Sequence, residues 1–185
     1  PRHPSTVRGR QTMNRTTGGG EAAVVERSVS FRAVHHYRHP DWDDARNREV
    51  FGALVEPHPH DYRLTVWAAG PMDPVTGFAV DLTALDQSLA ELVAPLRDGD
   101  LNRQVPPVAR GETLPSCESL ARWAFHVLSP RVPAPARLLR VRVAEAPDLA
   151  AEFPGPNARD RASRPSSPAG SPPARPGSSA PSEGS

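Results

Sequence analysis

The chain has 185 residues, a formal net charge of +1, a single cysteine, 23 prolines and 22 basic residues that are all arginine. One cysteine excludes an internal disulfide and a zinc site built from several cysteines, and the absence of lysine excludes Schiff-base and phosphate-loop lysines. So small a net charge gives no electrostatic case for a nucleic acid or membrane partner, and we expect neither. The apolar runs are far shorter than the roughly 18 to 20 residues of a membrane helix and the first residues show no signal-peptide pattern, so we expect a cytoplasmic protein.

Composition divides the chain into three segments. Residues 156–185 are almost entirely Pro, Ser, Ala, Gly and Arg, and residues 1–22 are similarly poor in large apolar side chains. Both are predicted to be disordered, because such segments cannot bury enough apolar surface to offset the entropy of ordering. The block between them, residues 23–155, is long enough for one domain with one modest core.

The first predicted elements are strands. Apolar residues alternate with polar ones over residues 28–35, and a second strand is predicted over residues 58–69. Its alternation puts His58, His60 and Tyr62 on one face. Turn-forming residues at 70–77 then predict a hairpin in which residues 78–82 pair back as a short strand.

Two helices and a last strand follow. Leucines recur at three- and four-residue steps over residues 82–96, and Pro115 and Ser116 open a second helix that Pro130 ends. A strand over residues 137–145 ends in Glu145, and residues 151–153 are a further candidate for pairing. This order predicts an α+β fold, in which two helices pack on one face of an antiparallel four-stranded sheet.

The strongest local signal for chemistry is the His-Pro-His motif at residues 58–60. Two histidines two residues apart on a strand project from one face and can bind one metal ion, although such pairs are more often solvated or packed. His35, at the end of a neighbouring strand, would complete a three-histidine set with an open fourth position, as in catalytic zinc sites. His36 and His39 are expected at the surface.

Seven segments, taken in order, resemble landmarks of the 6-pyruvoyltetrahydropterin synthase and 6-carboxytetrahydropterin synthase family. They are Phe31–His35, Val50–Gly52, His58–Tyr62, Asp73–Leu82, Leu101–Asn102, Pro115–Glu118 and Val141–Glu145. The resemblance implies a tunnelling fold, assembled through sheet edges into a homotrimer or a homohexamer.

The resemblance also implies a ligand set. In this chain the matching residues are His35, His58 and His60 for Zn²⁺, and Glu145 for the pterin ring, assisted by Ser116 and Glu118. A carboxylate can accept two parallel hydrogen bonds from an amino group and a ring N–H, which is how it would read a pterin edge. For Glu118 a simpler role is equally open, since a carboxylate in the first turn of a helix is favoured by the helix dipole.

The chain departs from the family pattern where protons are transferred. The family's cysteine position falls near Leu54, and its Leu-Asp-His stretch reads Leu96-Arg97-Asp98. Glu56 and Asp98 are the candidate catalytic substitutes; the alternative for Glu56 is a solvated loop carboxylate. Cys117 is expected to be a small buried side chain, with a reactive thiol at the helix start as the alternative.

These observations predict a zinc-dependent pterin lyase similar to 6-carboxytetrahydropterin synthase. It would convert 7,8-dihydroneopterin triphosphate to a 6-substituted tetrahydropterin, a precursor in deazapurine (queuosine) biosynthesis. One alternative is a catalytically degenerate paralogue that binds a pterin or purine and keeps zinc but has lost turnover. A third possibility is that zinc is structural or absent.

Overall fold

The computed structural model describes residues 21–155, so the predicted disordered segments lie almost wholly outside the described residues. One sheet and several helices form an α+β domain. The strands are β1 (Ala22–His35), β2 (His58–Pro71), β3 (Gly99–Asp100), β4 (Arg137–Ala146) and β5 (Leu149–Pro154), in the sheet order β3-β1-β2-β4-β5.

The two long strands β1 and β2 are the centre of the sheet. They pair antiparallel from Ala22 opposite Pro71 to His35 opposite His58, so the first strand starts six residues before the predicted Ser28. The sheet has five strands among the described residues rather than four, because β5 pairs with β4 and the two-residue β3 runs parallel to β1. The predicted pairing segment at residues 151–153 is therefore part of a real strand.

The predicted hairpin after β2 is the main difference in the fold. Residues 78–82 form no strand, because β2 already pairs with β1 on one side and β4 on the other. The Asp73 carboxylate accepts the N–H groups of Val75 and Thr76, which closes a turn as predicted, and Asp81 caps the next helix through the N–H of Ala84. The predicted turn therefore forms, whereas Asp81, which the pattern assigned to a strand, caps a helix.

Two helices supply most of the helical side of the core. Helix α2 (Leu82–Val93) continues as a 3-10 turn over Ala94–Leu96, and α5 (Cys117–Leu128) begins at the N-cap Ser116. Their apolar faces pack with the inward side chains of β1, β2 and β4. The core formed in this way includes Phe31, Tyr62, Leu64, Val66, Leu85, Leu89, Leu120, Ala124, Leu128, Val141 and Val143.

Three short helices have no counterpart in the prediction: α1 (Asp44–Phe51), α3 (Leu101–Gln104) and α4 (Pro106–Ala109). Helix α1 buries only Asn47, so it carries no apolar periodicity. The Asn47 side chain instead holds the preceding loop, accepting the His39 N–H and donating to the carbonyls of Trp42 and Asp43. This loop and helix, with a 3-10 turn over Gly52–Val55, lead the chain into β2.

None of the helices within residues 21–155 has the length and apolar character that crossing a membrane requires.

Candidate metal centre and adjoining pocket

Three histidine rings meet at one end of the sheet. The β1–β2 register puts His35 directly opposite His58, and the alternation of β2 brings His60 to the same face. The ring centroids lie 4.6 to 5.1 Å apart, and one nitrogen from each ring falls within 4.8 Å of the others. These residues can hold a metal ion, as the strand alternation predicts.

Backbone carbonyls determine which ring nitrogens face the metal position. His35 Nδ1 lies 3.1 Å from the Pro115 carbonyl, and His58 Nδ1 lies 2.8 Å from the Glu56 carbonyl. Because a carbonyl only accepts, both Nδ1 atoms must donate, which leaves each Nε2 with a free lone pair. This anchoring is typical of histidines that bind metals.

The buried state of His35 fits the same role. Its Nε2 is buried and has no hydrogen-bond partner among the described residues. Burial, followed by the charges of His58 and His60, lowers the pKa of His35 to about 4, with the Pro115 carbonyl partly opposing this. A neutral imidazole with an unpartnered lone pair is the form that binds Zn²⁺, so the donor set suits that ion.

A buried carboxylate adjoins the three histidines. The Glu145 side chain is only 7% exposed, and its Oε2 lies 4.0 Å from His35 Nε2. The register between β4 and β5 shifts between Ala144 and Ala146, so Glu145 sits at a β-bulge. Bulges re-aim side chains near active sites, and this one accompanies a charged group that is turned into the interior.

Tyr62 is a further buried polar group beside the histidines, with its ring centroid 6.0 Å from that of His35. Its ring stacks on Phe31 with centroids 5.3 Å apart and is fully buried. Its hydroxyl has no hydrogen-bond partner among the described residues, and the same is true of Glu145 Oε2 and His35 Nε2. Burial, followed by the negative charge of Glu145, raises the pKa of Tyr62. Buried polar atoms in native proteins nearly always have a partner, so these three neighbouring atoms favour a bound ion or ligand.

Removing the Tyr62 hydroxyl should not destabilise the metal-free protein. A buried polar atom without a partner costs about 1–3 kcal/mol, so Tyr62→Phe should leave the free energy of unfolding unchanged or raise it. Urea denaturation measures this, with Tyr62→Ala as the control that loses the stacked ring and about 3–5 kcal/mol. A loss above about 1 kcal/mol in the Phe variant would mean that the hydroxyl donates to Glu145 in the free protein.

The environment of Cys117 disfavours a reactive thiol. Cys117 is 4% exposed, and burial, followed by the charge of Glu145, raises its pKa to about 12. Cys117 is therefore the small buried side chain that the sequence predicts. Its position at the start of a helix does not make it a reactive thiol.

We expect Cys117 to react with a water-soluble thiol reagent at pH 8 at least about 100-fold more slowly in the folded protein than in urea. The chain has no other cysteine, so the reaction reports this residue alone, and Cys117→Ser supplies the blank. Rapid labelling of the folded protein would contradict the burial argument.

The remaining predicted ligand-binding residues lie at the start of α5. The Ser116 hydroxyl caps this helix by accepting the Ser119 N–H at 3.4 Å. Glu118 is exposed in the first turn, where its own backbone N–H and then the Ser116 hydroxyl lower its pKa. Both side chains thus have a local role in starting the helix. Burial, followed by the charges of Glu145, Cys117 and Glu118, raises the pKa of Tyr37.

The two predicted proton-transfer residues are not gathered at the metal centre. The Glu56 carboxylate is more than half exposed and pairs with Arg48 at 2.9 Å, while its backbone carbonyl holds His58. Asp98 is exposed with a φ of 53°, and its N–H donates to the Arg32 carbonyl beside β1. Leu54, near the family's cysteine position, is also exposed.

The other histidines and one missed residue complete the site. His36 is partly buried rather than at the surface, with an Nδ1 that has no hydrogen-bond partner among the described residues, and His39 stacks on Trp42. Neither belongs to the three-histidine set. Tyr62 is the residue that sequence reasoning left without a role. Strand alternation could have indicated Tyr62, because it lies two residues after His60 and therefore on the same face of β2.

Comparisons with known proteins agree on one family. A family model described as 6-pyruvoyl tetrahydropterin synthase matches residues 24–156. The chain is 32% identical over 113 residues to the 6-pyruvoyl tetrahydrobiopterin synthase of Poecilia reticulata, covering 60% of this chain and 76% of that protein. With the Homo sapiens protein of that name it shares 31% identity over 123 residues, covering 64% and 83%.

A solved structure supports the same fold. The 6-pyruvoyl tetrahydropterin synthase of Caenorhabditis elegans superposes with a TM-score of 0.67 at 25% identity, covering 75% of this chain and 99% of that one.

Proposed function

The chain belongs to the 6-pyruvoyl tetrahydropterin synthase family, whose enzymes are lyases that act on pterins, and we propose that it is itself a zinc-dependent pterin lyase. Its proposed substrate is 7,8-dihydroneopterin triphosphate, and the product is a 6-substituted tetrahydropterin formed with loss of triphosphate. The observation that carries the proposal is the meeting of three histidine nitrogens within 4.8 Å beside the buried Glu145 carboxylate.

The proposed ion is Zn²⁺, held by His35, His58 and His60. Three neutral imidazoles leave an open position, and the ion would act there as a Lewis acid toward hydroxyl groups of the substrate side chain. The Pro115 and Glu56 carbonyls keep two of the rings in the required tautomer. The protein's own contribution is therefore to orient the ligands before the substrate arrives.

Glu145 is the proposed anchor of the pterin ring. A carboxylate with an unpartnered oxygen in a buried pocket can accept two parallel hydrogen bonds from the amino group and ring N–H of a pterin. Such charge-assisted pairs select the correct ring edge and fix the distance between the ring and the metal. Ser116 and Glu118, at the start of α5, are proposed to assist in substrate binding.

Glu56 is the proposed residue that moves protons, with Asp98 as the second candidate. The Glu56 carboxylate would have to leave Arg48 and turn toward the metal centre, a rearrangement that its exposed position permits. Its backbone is already attached there, since the Glu56 carbonyl accepts from His58. A carboxylate near a metal ion, once desolvated, can serve as a general base.

Turnover by zinc-loaded protein tests the lyase proposal. We expect release of triphosphate from 7,8-dihydroneopterin triphosphate, and we expect Glu56→Gln to lower the rate by about 10²- to 10⁴-fold, the usual contribution of a general base. The matched control is Glu49→Gln, which removes an exposed carboxylate from the same region. Absence of product above background would reject the lyase, and full activity of Glu56→Gln would remove Glu56 from the mechanism.

The product is proposed to be the 6-carboxy compound, which leads to deazapurine (queuosine) biosynthesis. Mass analysis of the product separates it from the 6-pyruvoyl compound.

The second candidate function is a non-catalytic pterin- or purine-binding protein. It is favoured by the ion pair between Glu56 and Arg48 and by Leu54 at the family's cysteine position. Tight binding of a pterin without turnover would support it.

Assembly into a homotrimer or homohexamer is proposed on the sheet's two open edges. β3 covers only two residues of β1 on one side, and β5 is the last strand on the other. Pairing these edges between copies would satisfy their free backbone groups.

A further inference from the structure

The outer face of the sheet, away from the helices, carries a groove of about 690 Å³ that reaches the metal centre. His60 and Glu145 are among its lining residues, together with Asp61 and three arginines, Arg32, Arg63 and Arg142. The groove therefore joins the proposed pterin site to a surface on which three arginines outnumber the one aspartate.

The strand register brings two of these arginines together. Arg63 lies opposite Ala144, and Thr65 lies opposite Arg142, so Arg63 and Arg142 are diagonal neighbours on adjacent strands. Such positions are typically about 7–8 Å apart in antiparallel sheets. Two guanidinium groups on stems of this length can contact one extended anion. Thr65 lines the same groove.

On this face of the sheet, Arg63 and Arg142 have no ion-pair partner among the described residues. Neither Arg63 nor Arg142 has a carboxylate within ion-pair distance among the described residues, whereas Arg32 lies 3.4 Å from Asp61. Glu152 faces Arg142 in the register, but its carboxylate lies 3.9 Å from Arg140. Arg140 is further occupied by the Trp67 ring, 4.1 Å away.

We propose that Arg63 and Arg142 form a subsite for a polyphosphate, namely the triphosphate of the substrate. This inference rests on the proposed function, because the proposed pterin and metal residues Glu145 and His60 line the same groove as the two arginines. Guanidinium groups bind phosphate oxygens through paired, charge-assisted hydrogen bonds, and two of them match an anion with several negative charges.

Titration of inorganic triphosphate into the full chain tests the subsite without turnover. We expect binding to the zinc-loaded protein, weakened about tenfold or more by Arg63→Gln and by Arg142→Gln. Arg140→Gln is the matched control, since it removes the same charge from the same strand face and should change the affinity less than about twofold. Orthophosphate should bind at least about tenfold more weakly than triphosphate.

A parallel titration of the His58→Ala protein distinguishes triphosphate binding by the arginines from triphosphate binding by the metal. Retained binding in this variant supports the arginine subsite, and binding lost only there would overturn it in favour of the metal. No binding by the parent chain, or an equal loss in Arg140→Gln, would also overturn the subsite. Binding with the expected arginine dependence but no turnover would reject the lyase and keep the subsite, so the two failures are distinguishable.

Discussion

His58→Ala is expected to abolish metal binding and nearly all turnover while the domain stays folded. The His58 ring contributes one of three nitrogens that lie within 4.8 Å of one another. The side chain is only half buried, so removing the ring leaves no large cavity. With two histidines the site lacks the three protein ligands of catalytic zinc. A metal's electrostatic contribution is several kcal/mol, so turnover should fall by at least about 10³-fold.

Metal analysis and circular dichroism check this expectation together. The parent chain should carry about one zinc per subunit and the variant much less than half, with the same secondary structure. His39→Ala is the control, because His39 stacks on Trp42 outside the three-histidine set and its loss should leave the zinc content unchanged. Zinc retained in full by His58→Ala would contradict the assigned ligand set.

Glu145→Gln is expected to weaken pterin binding strongly and leave the metal in place. The change keeps the shape of the side chain but removes its charge, so one of two accepted hydrogen bonds is lost and the other becomes weaker. Hydrogen bonds to charged groups contribute about 1.5–3 kcal/mol each. The dissociation constant for a dihydropterin should therefore rise by about 10²-fold or more.

Pterin titration followed by fluorescence measures this constant, and zinc analysis shows whether the metal site survives. Glu152→Gln, an exposed carboxylate on β5, is the matched control and should bind the pterin like the parent chain. Unchanged pterin affinity in Glu145→Gln would remove Glu145 from ring recognition. In the free protein the variant should be no less stable, because the buried Oε2 has no partner there.

The metal centre was more predictable than the proton-transfer residues. His58 and His60 share a face by strand alternation alone, and alternation is a property of the backbone that tertiary contacts rarely change. Residues such as Glu56 and Asp98 lie on loops and turns, where no periodicity indicates a direction. Their side-chain partners, such as Arg48 for Glu56, depend on the short helix α1, whose polar sequence predicts nothing.

The hairpin after β2 illustrates a different limit. Residues 78–82 have a composition suited to a strand, but a strand forms only where a neighbour has free backbone groups. Both sides of β2 are taken by β1 and β4, and β4 lies more than sixty residues later in the chain. Local patterns do not contain that information.

The sequence by itself determined the domain's α+β class, the two long helices, the shared face of His58 and His60 and, through seven ordered segments, the family. These follow from periodicity and residue type, which are local properties. Only the tertiary structure decided the register that sets His35 opposite His58, the bulge that accompanies the buried Glu145, and the unpartnered Tyr62 hydroxyl. Each depends on pairing between distant strands. The composition of one cysteine and no lysine excluded certain chemistries, and the fold then buried that cysteine beside Glu145.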